Sequence, residues 1–237
     1  MKETATEQAR IAAVYEAYRA AGHATGKWSP SNPGNAAILR ERMSALVEML
    51  GRAGIHPLQD MNILEIGCGD GQVIGELLQI GASPARITGL DLLEERIAVA
   101  RASHPDIRFL CGDASRLDIP DRSVDLVVVF TVFSSILDSD LRLSIAREAE
   151  RVLRPGGAVG WYDFMRNNPS NPNVRGIGKA EIARLFPGFR IALSRVTLAP
   201  PIARRLGALT RVAYPLLASL PLLRTHYVGV LVKGSRE

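Results

Sequence analysis

The sequence predicts an α/β fold, a mainly parallel sheet with helices on both faces. Three observations carry this reading. From residue 61 onward, short apolar runs alternate with amphipathic stretches, the rhythm of strand–helix–strand units. The run 124–130 is apolar at six of its seven positions, as a strand covered on both faces must be. Glycines or a Pro-Gly-Gly step close the helical stretches at Gly81 and Pro155-Gly156-Gly157.

Taken in order, residues 6–21 carry Ala9, Ala13, Tyr15 and Ala20 in a weak helical pattern of mostly small side chains. Residues 28–35, Trp-Ser-Pro-Ser-Asn-Pro-Gly-Asn, read as a loop of turn formers. Over 38–50 the residues Ile38, Leu39, Met43, Leu46, Val47 and Leu50 fall on one helical stripe, which stops at Gly51 and Gly54. Strands are then expected at 63–66, 87–90, 107–110, 124–130 and 158–164, with helices at 72–80, 94–103 and 141–153 between them. The tail adds a short helix at 179–186, a strand at 190–198, an apolar helical stretch over 199–224 interrupted by Pro215 and Pro221, and a last strand at 226–232.

Composition narrows the class. At 47% hydrophobic and 22% charged, the chain of 237 residues has the make-up of a soluble globular protein with a sizeable core. The polar start MKETATEQAR does not read as a secretory signal, and no apolar run is long enough for a membrane span. Two cysteines, Cys68 and Cys111, lack metal-ligand spacing and suit a reducing, cytoplasmic setting as small packed thiols; no metal site is expected. Charge is uneven: residues 1–150 hold 15 Lys+Arg against 21 Asp+Glu, whereas residues 151–237 hold 14 against 3. A basic last third is either a solvated surface or a face for an anionic partner.

The strand at 63–66 runs into Gly67-Cys68-Gly69-Asp70-Gly71 and then a helix, a tight turn whose backbone can approach a ligand closely. Two details discriminate among ligands. Position 72 is Gln, so the third glycine of a dinucleotide fingerprint is missing. Glu65 stands two residues before the first glycine, where a carboxylate suits a cationic ammonium and opposes a pyrophosphate. Asp91 ends the second strand, placed to accept ribose hydroxyls. Asp113 follows the third strand, within reach of an adenine amine, with Leu92 and Ala114 as apolar walls. Phe130-Thr131-Val132-Phe133 ends the fourth strand at the carboxyl edge of the sheet, where such folds bind ligands.

These elements in this order, with Leu153-Arg154-Pro155-Gly156-Gly157 leading into the fifth strand, resemble the class I S-adenosylmethionine-dependent methyltransferase family, small-molecule type. The resemblance covers roughly residues 60–165. It implies S-adenosyl-L-methionine as cofactor and a Rossmann-like seven-stranded sheet with its last strand antiparallel. The expected division is an N-terminal helical cap over 1–58 and a methyltransferase domain over 59–237, with a helical insertion at 199–225 before the last strand. Cofactor roles carry over to Glu65, Gly67, Gly69, Gly71, Asp91, Asp113 and Phe130, with Cys68, Leu92, Gly112 and Ala114 beside them in the same motifs.

The motifs say nothing about the acceptor, because methyl transfer from a sulfonium mainly requires alignment and exclusion of water. An antiparallel last strand begins at the mouth where the fifth strand ends, so Asp163 and His226 are expected to meet as orienting carboxylate and general base. On that basis a hydroxyl is the favoured acceptor, on a small molecule or a lipid- or glycan-linked one. N-methylation of a small molecule, or cofactor binding without catalysis, are the alternatives. Against nucleic acid, the fourth strand lacks an Asn/Asp-Pro-Pro-aromatic signature and no nucleic-acid module is appended. The 199–225 stretch reads as an acceptor lid, a dimer contact, or an element resting on an anionic membrane, since it combines leucines with Arg204, Arg205, Arg211 and Arg224. The asparagines at 167, 168, 171 and 173 offer sugar contacts or simply turn chemistry.

Overall fold

The computed structural model describes residues 2–22, 28–169 and 171–234. Seven strands form one sheet: β1 (Ile63–Ile66), β2 (Ile87–Asp91), β3 (Arg108–Cys111), β4 (Val124–Phe130), β5 (Leu153–Phe164), β6 (Phe189–Leu198) and β7 (Arg224–Lys233). Their order is β3-β2-β1-β4-β5-β7-β6. The first five pair in parallel, and β7 runs antiparallel to both β5 and β6. This is the sheet the sequence implies, with the last strand inserted directly beside the fifth.

Eight helices accompany the sheet among the described residues: α1 (Lys2–Ala20), α2 (Pro33–Arg52), α3 (Gln72–Gln79), α4 (Glu94–Ser103), α5 (Ser139–Val152), α6 (Lys179–Leu185), α7 (Pro200–Arg205) and α8 (Thr210–Ala218). Two cores follow from the alternation of side chains along the strands. On one face Met43, Leu46 and Leu50 of α2 and Ile74 and Leu77 of α3 pack on Ile63, Leu126, Val128 and Val230. On the other, Ile145, Ala149 and Ile182 from α5 and α6 pack on Leu64, Val127, Val129 and Trp161. Within the expected N-terminal cap, α2 therefore belongs to the sheet's core, whereas α1 reaches the other core at its edge through Ile11.

Three local readings are corrected. Residues Pro33, Gly34 and Asn35, expected in a loop, form the first turn of α2: Asn32 accepts from the backbone N–H groups of Gly34 and Asn35 at 2.9 and 3.3 Å, and Pro33 opens the helix. A polar cap of this kind stabilises a helix by about 1 kcal/mol, enough to outweigh turn-like composition. The stretch Pro155-Gly156-Gly157 lies inside β5, at the point where the register with β4 shifts. In the insertion, Pro215 stands within α8, and the helical break falls at Gly207, whose φ of +50° cannot continue a right-handed helix.

Candidate active site

At the carboxyl ends of the parallel strands lies an open cavity of about 1670 Å³. One half is built by the glycine turn and the ends of β2, β3 and β4. Gly67, Gly69 and Gly71 all have positive φ, +72°, +57° and +85°. At Gly67 a side chain is excluded on two counts: its Cβ would meet Val132 Cγ2 at 2.6 Å, in a conformation that L-residues avoid. The N–H groups of Gly67 and Cys68 donate to the Leu90 carbonyl, fixing the turn to β2. Asp91 completes this brace, accepting from Gly69 N at 2.8 Å and from Leu93 N at 3.0 Å through separate oxygens. Each oxygen keeps a second lone pair, and Asp91 borders the cavity.

Leu92, Gly112, Asp113 and Ala114 also line the cavity. Asp113 is held by Ser115, whose N–H and hydroxyl donate at 2.8 and 2.7 Å. Phe130 lies at the end of β4, its ring 5.3 Å from that of Tyr162. Glu65 is buried on β1 beneath the turn, on the α2 face, and its Oε2 has no hydrogen-bond partner. Burial drives this carboxyl well above its ordinary range, with Arg42 opposing and Glu76 and Asp91 reinforcing the shift. Cys68 is packed in the core, where burial pushes its thiol up, and like Glu65, Gly69 and Gly71 it stands behind the cavity lining rather than in it.

The expected meeting of Asp163 with His226 does not occur. In the β5–β7 register Asp163 pairs with Tyr227 and Phe164 with His226, so consecutive side chains point to opposite faces of the sheet. Asp163 points to the α5 side and accepts from Ser134 N at 3.0 Å and Phe164 N at 2.8 Å. It braces the loop after β4. Burial raises its carboxyl from 3.8 to about 6, against the lowering effect of the Ser134 and Phe164 hydrogen bonds. Because the folded value lies above the unfolded one, stability from this group is complete below 3.8 and lost as pH rises through about 6. Relative to Asp163→Asn, wild type is expected to lose up to ~3 kcal/mol over that window, measured by chemical denaturation at several pH values. A pH-independent difference would refute the assignment.

His226 lies on the opposite face, on the cavity wall. It stacks on Tyr162 with ring centroids 4.8 Å apart and an interplanar angle of 2°, and it packs on Phe164 at 4.1 Å. Tyr162 thus separates His226 from Phe130 by a single ring. The neighbour of His226 Nδ1 is Thr225 Oγ1 at 2.8 Å. That hydroxyl also donates to the Thr197 carbonyl at 3.3 Å. A hydroxyl has one proton; if it is given to the Thr197 carbonyl, the hydroxyl accepts from His226 and Nδ1 carries the hydrogen. Nε2 is then the lone-pair nitrogen, with no hydrogen-bond partner among the described residues. Burial, assisted by Arg42, lowers the imidazole to about 3, so it is neutral at physiological pH.

Several residues here carry no motif and escape sequence reasoning. Thr197 and Thr131 have φ of +67° and +56°, a strained conformation for a β-branched residue. Thr197 is held there by Glu41, which accepts from its N–H at 2.9 Å, and by the Tyr162 hydroxyl at 2.8 Å from its Oγ1. Arg42 lies over both Phe130 and Tyr162, at 5.1 and 5.5 Å, and pairs with Glu76 at 2.8 Å. Arg96 covers the glycine turn and stacks on Tyr15 at 5.0 Å. Helix α1 crosses the mouth: Arg10 donates to the Ser135 carbonyl at 2.6 Å, and Asn171 donates to the Tyr18 hydroxyl at 2.8 Å. Asn167 and Asn171 also accept from Gly176 N and Asn173 N, so these two asparagines do turn chemistry while lining the cavity. Only a lone positive-φ signal or long-range pairing identifies such positions, and neither is visible in one sequence.

Comparison with known proteins agrees with this architecture. Residues 63–157 match the family model described as a methyltransferase domain. The chain is 30% identical over 189 residues to the 27-O-demethylrifamycin SV methyltransferase of Amycolatopsis mediterranei, covering 74% of this chain and 67% of that protein. It is 32% identical over 146 residues to a probable S-adenosylmethionine-dependent methyltransferase of Mycolicibacterium smegmatis, 57% of this chain and 54% of that one. The match therefore spans about half of the second relative and two thirds of the first. Among solved structures, an S-adenosylmethionine-dependent methyltransferase from Mesorhizobium loti superposes with a TM-score of 0.59 at 20% identity, over 80% of this chain and 96% of that chain, and shares the fold. The strand order and the antiparallel last strand define a class I methyltransferase sheet. The chain belongs to the S-adenosylmethionine-dependent methyltransferase family.

Proposed function

We propose that the chain transfers a methyl group from S-adenosyl-L-methionine to a hydroxyl of a small or lipid- or glycan-linked acceptor. The observation that carries the acceptor atom is the His226 imidazole, which lines the cavity one aromatic ring beyond Phe130. Two features suit the donor. Buried Glu65 Oε2 lacks a partner that an ammonium would supply, and a glycine turn that rejects side chains leaves backbone open to close approach. Asp91 and Asp113 would hold the nucleoside, with Leu92, Ala114 and Phe130 against its rings.

The donor, when bound, supplies a methyl group already activated on a sulfonium. What this chain adds is orientation, dryness and a proton acceptor. As oxygen takes the methyl, its proton passes to His226 Nε2, giving an imidazolium that then releases the proton to solvent. Thr225, by donating to the Thr197 carbonyl, would hold the tautomer that makes this transfer available. Tyr162 and Phe164 sandwich the ring and limit water around it. A volume of about 1670 Å³ exceeds the ~300–1,000 Å³ of ordinary ligand pockets and leaves room for a large acceptor beside the donor. A relative bearing the name of a 27-O-demethylrifamycin SV methyltransferase supports an oxygen acceptor.

Calorimetry with S-adenosylhomocysteine and with NAD tests the donor, and methylation of a panel of phenols and alcohols against amines tests the acceptor. Heat with the first ligand and turnover only with hydroxyls are expected. Binding of NAD alone, or turnover confined to amines, would refute the reading.

A further inference from the structure

The insertion between β6 and β7 has two unlike faces. Thr210, Tyr214 and Ala218 of α8 are buried at four-residue spacing, and Tyr214 donates to Glu41 at 2.6 Å. The opposite stripe is Leu209, Val212, Leu216 and Leu220, exposed at 69%, 66%, 66% and 51%. Leu222 in the following turn is 81% exposed. Of the nine large apolar side chains exposed among the described residues, six lie between residues 202 and 222. A contiguous set of this kind on a monomer marks an interaction face.

Charge selects the occupant. No Asp or Glu occurs from residue 182 to residue 236, and Arg205 and Arg211 are exposed within the insertion. A second copy docked about a two-fold axis would press this basic face on itself, and the segment has no carboxylate of its own to neutralise it. An anionic bilayer complements both properties, since leucines enter the acyl boundary while arginines stay with the headgroups. No helix in the described residues is long and apolar enough to cross a membrane, so any contact made by α8 is along the surface. The same segment borders the cavity through Pro200, Pro201, Arg204 and Leu222.

We propose that the outward face of α8 with its flanking turns docks on an anionic lipid bilayer and sets the cavity mouth against it. The docking stands apart from methyl transfer; that the acceptor is drawn from the bilayer rests on the proposed function. The test is flotation of the full chain with phosphatidylglycerol–phosphatidylcholine vesicles and with phosphatidylcholine alone, at low and high salt. The comparison protein is the double variant Val212→Ser/Leu216→Ser, changed only at exposed positions. Wild type is expected to float with the anionic vesicles and to be released by salt. The variant should bind them about tenfold more weakly for each aliphatic side chain removed. Calorimetry with S-adenosylhomocysteine on both proteins should give the same affinity, so a failure of donor binding is read separately. Absence of wild-type flotation, equal flotation with neutral vesicles, or undiminished flotation of the variant overturns the proposal. So does a dimer that the variant dissolves without any vesicle binding.

Discussion

Replacing His226 with Asn is expected to lower kcat by about 10²–10⁴-fold, with the affinity for S-adenosylhomocysteine unchanged. The range is that of a general base removed from a positioned hydroxyl. Its low pKa keeps His226 neutral but also makes it a weak base, so the rate loss reflects alignment of the hydroxyl as much as uptake of its proton. Burial and Arg42 bring the imidazole to about 3, so it holds a free lone pair across the physiological range. The folded value lies below 6.5, which means the acid limb of the pH profile of kcat/KM should lie near 3, with kcat/KM flat from about pH 5 to about pH 8. A limb near the ordinary histidine value that vanishes in His226→Asn would contradict the buried, neutral imidazole. Undiminished turnover in that variant would remove the base altogether. Thr225→Val gives a second reading. Without a hydroxyl to receive the Nδ1 hydrogen, either tautomer is allowed, and kcat should fall by only about tenfold. Nitrogen NMR of the imidazole reads the tautomer directly, with Nδ1–H dominant in wild type.

The correction at Asp163 shows where sequence reasoning stops. Strand ends were legible: β5 and β7 do meet at the mouth, and antiparallel pairing brings residues 163 and 226 close along the strands. Register was not. A slip of one residue turns a side chain to the other face, and here Asp163 lies opposite Tyr227, so the carboxylate and the imidazole are separated by the sheet. The partner that orients His226 is its own neighbour Thr225, whose role depends on a carbonyl 28 residues away at Thr197.

The placement of the glycine turn and the two aspartates was more legible, for a local reason. Gly67 and Gly69 are set by backbone geometry, and Asp91 and Asp113 stand at or just past the ends of consecutive strands, so their spacing along the chain already encodes their place in space. Helix α2 was read one turn short because a Pro-Gly-Asn sequence looks like a loop until Asn32 is seen to cap it. Arg42 illustrates the limit most clearly. It sits on the apolar stripe of α2 as one charged residue, and only packing reveals that it lies over Phe130 and Tyr162 and opposes the charge penalty at Glu65.

Glu65→Gln carries the second large expectation, a loss of donor affinity of about 10–100-fold. Gln keeps the shape and one acceptor oxygen but removes the charge, and a hydrogen bond to a charged group is worth about 1.5–3 kcal/mol. The unpartnered Oε2 makes Glu65 the position where such a bond remains to be formed. Proton linkage distinguishes this from simple disruption. Burial raises the folded carboxyl well above 4.5, so the group's contribution to stability is complete below 4.5 and is lost as pH rises through the folded value. Gln has no such loss, and the variant should be at least as stable as wild type at high pH. A cation at Oε2 favours the ionised carboxylate, so donor affinity in wild type should climb with pH through the same range, and the variant should lack that slope. Isothermal titration at several pH values, beside denaturation curves, measures both effects. Equal affinity and equal slope in the two proteins would mean that Glu65 braces the turn without meeting the donor.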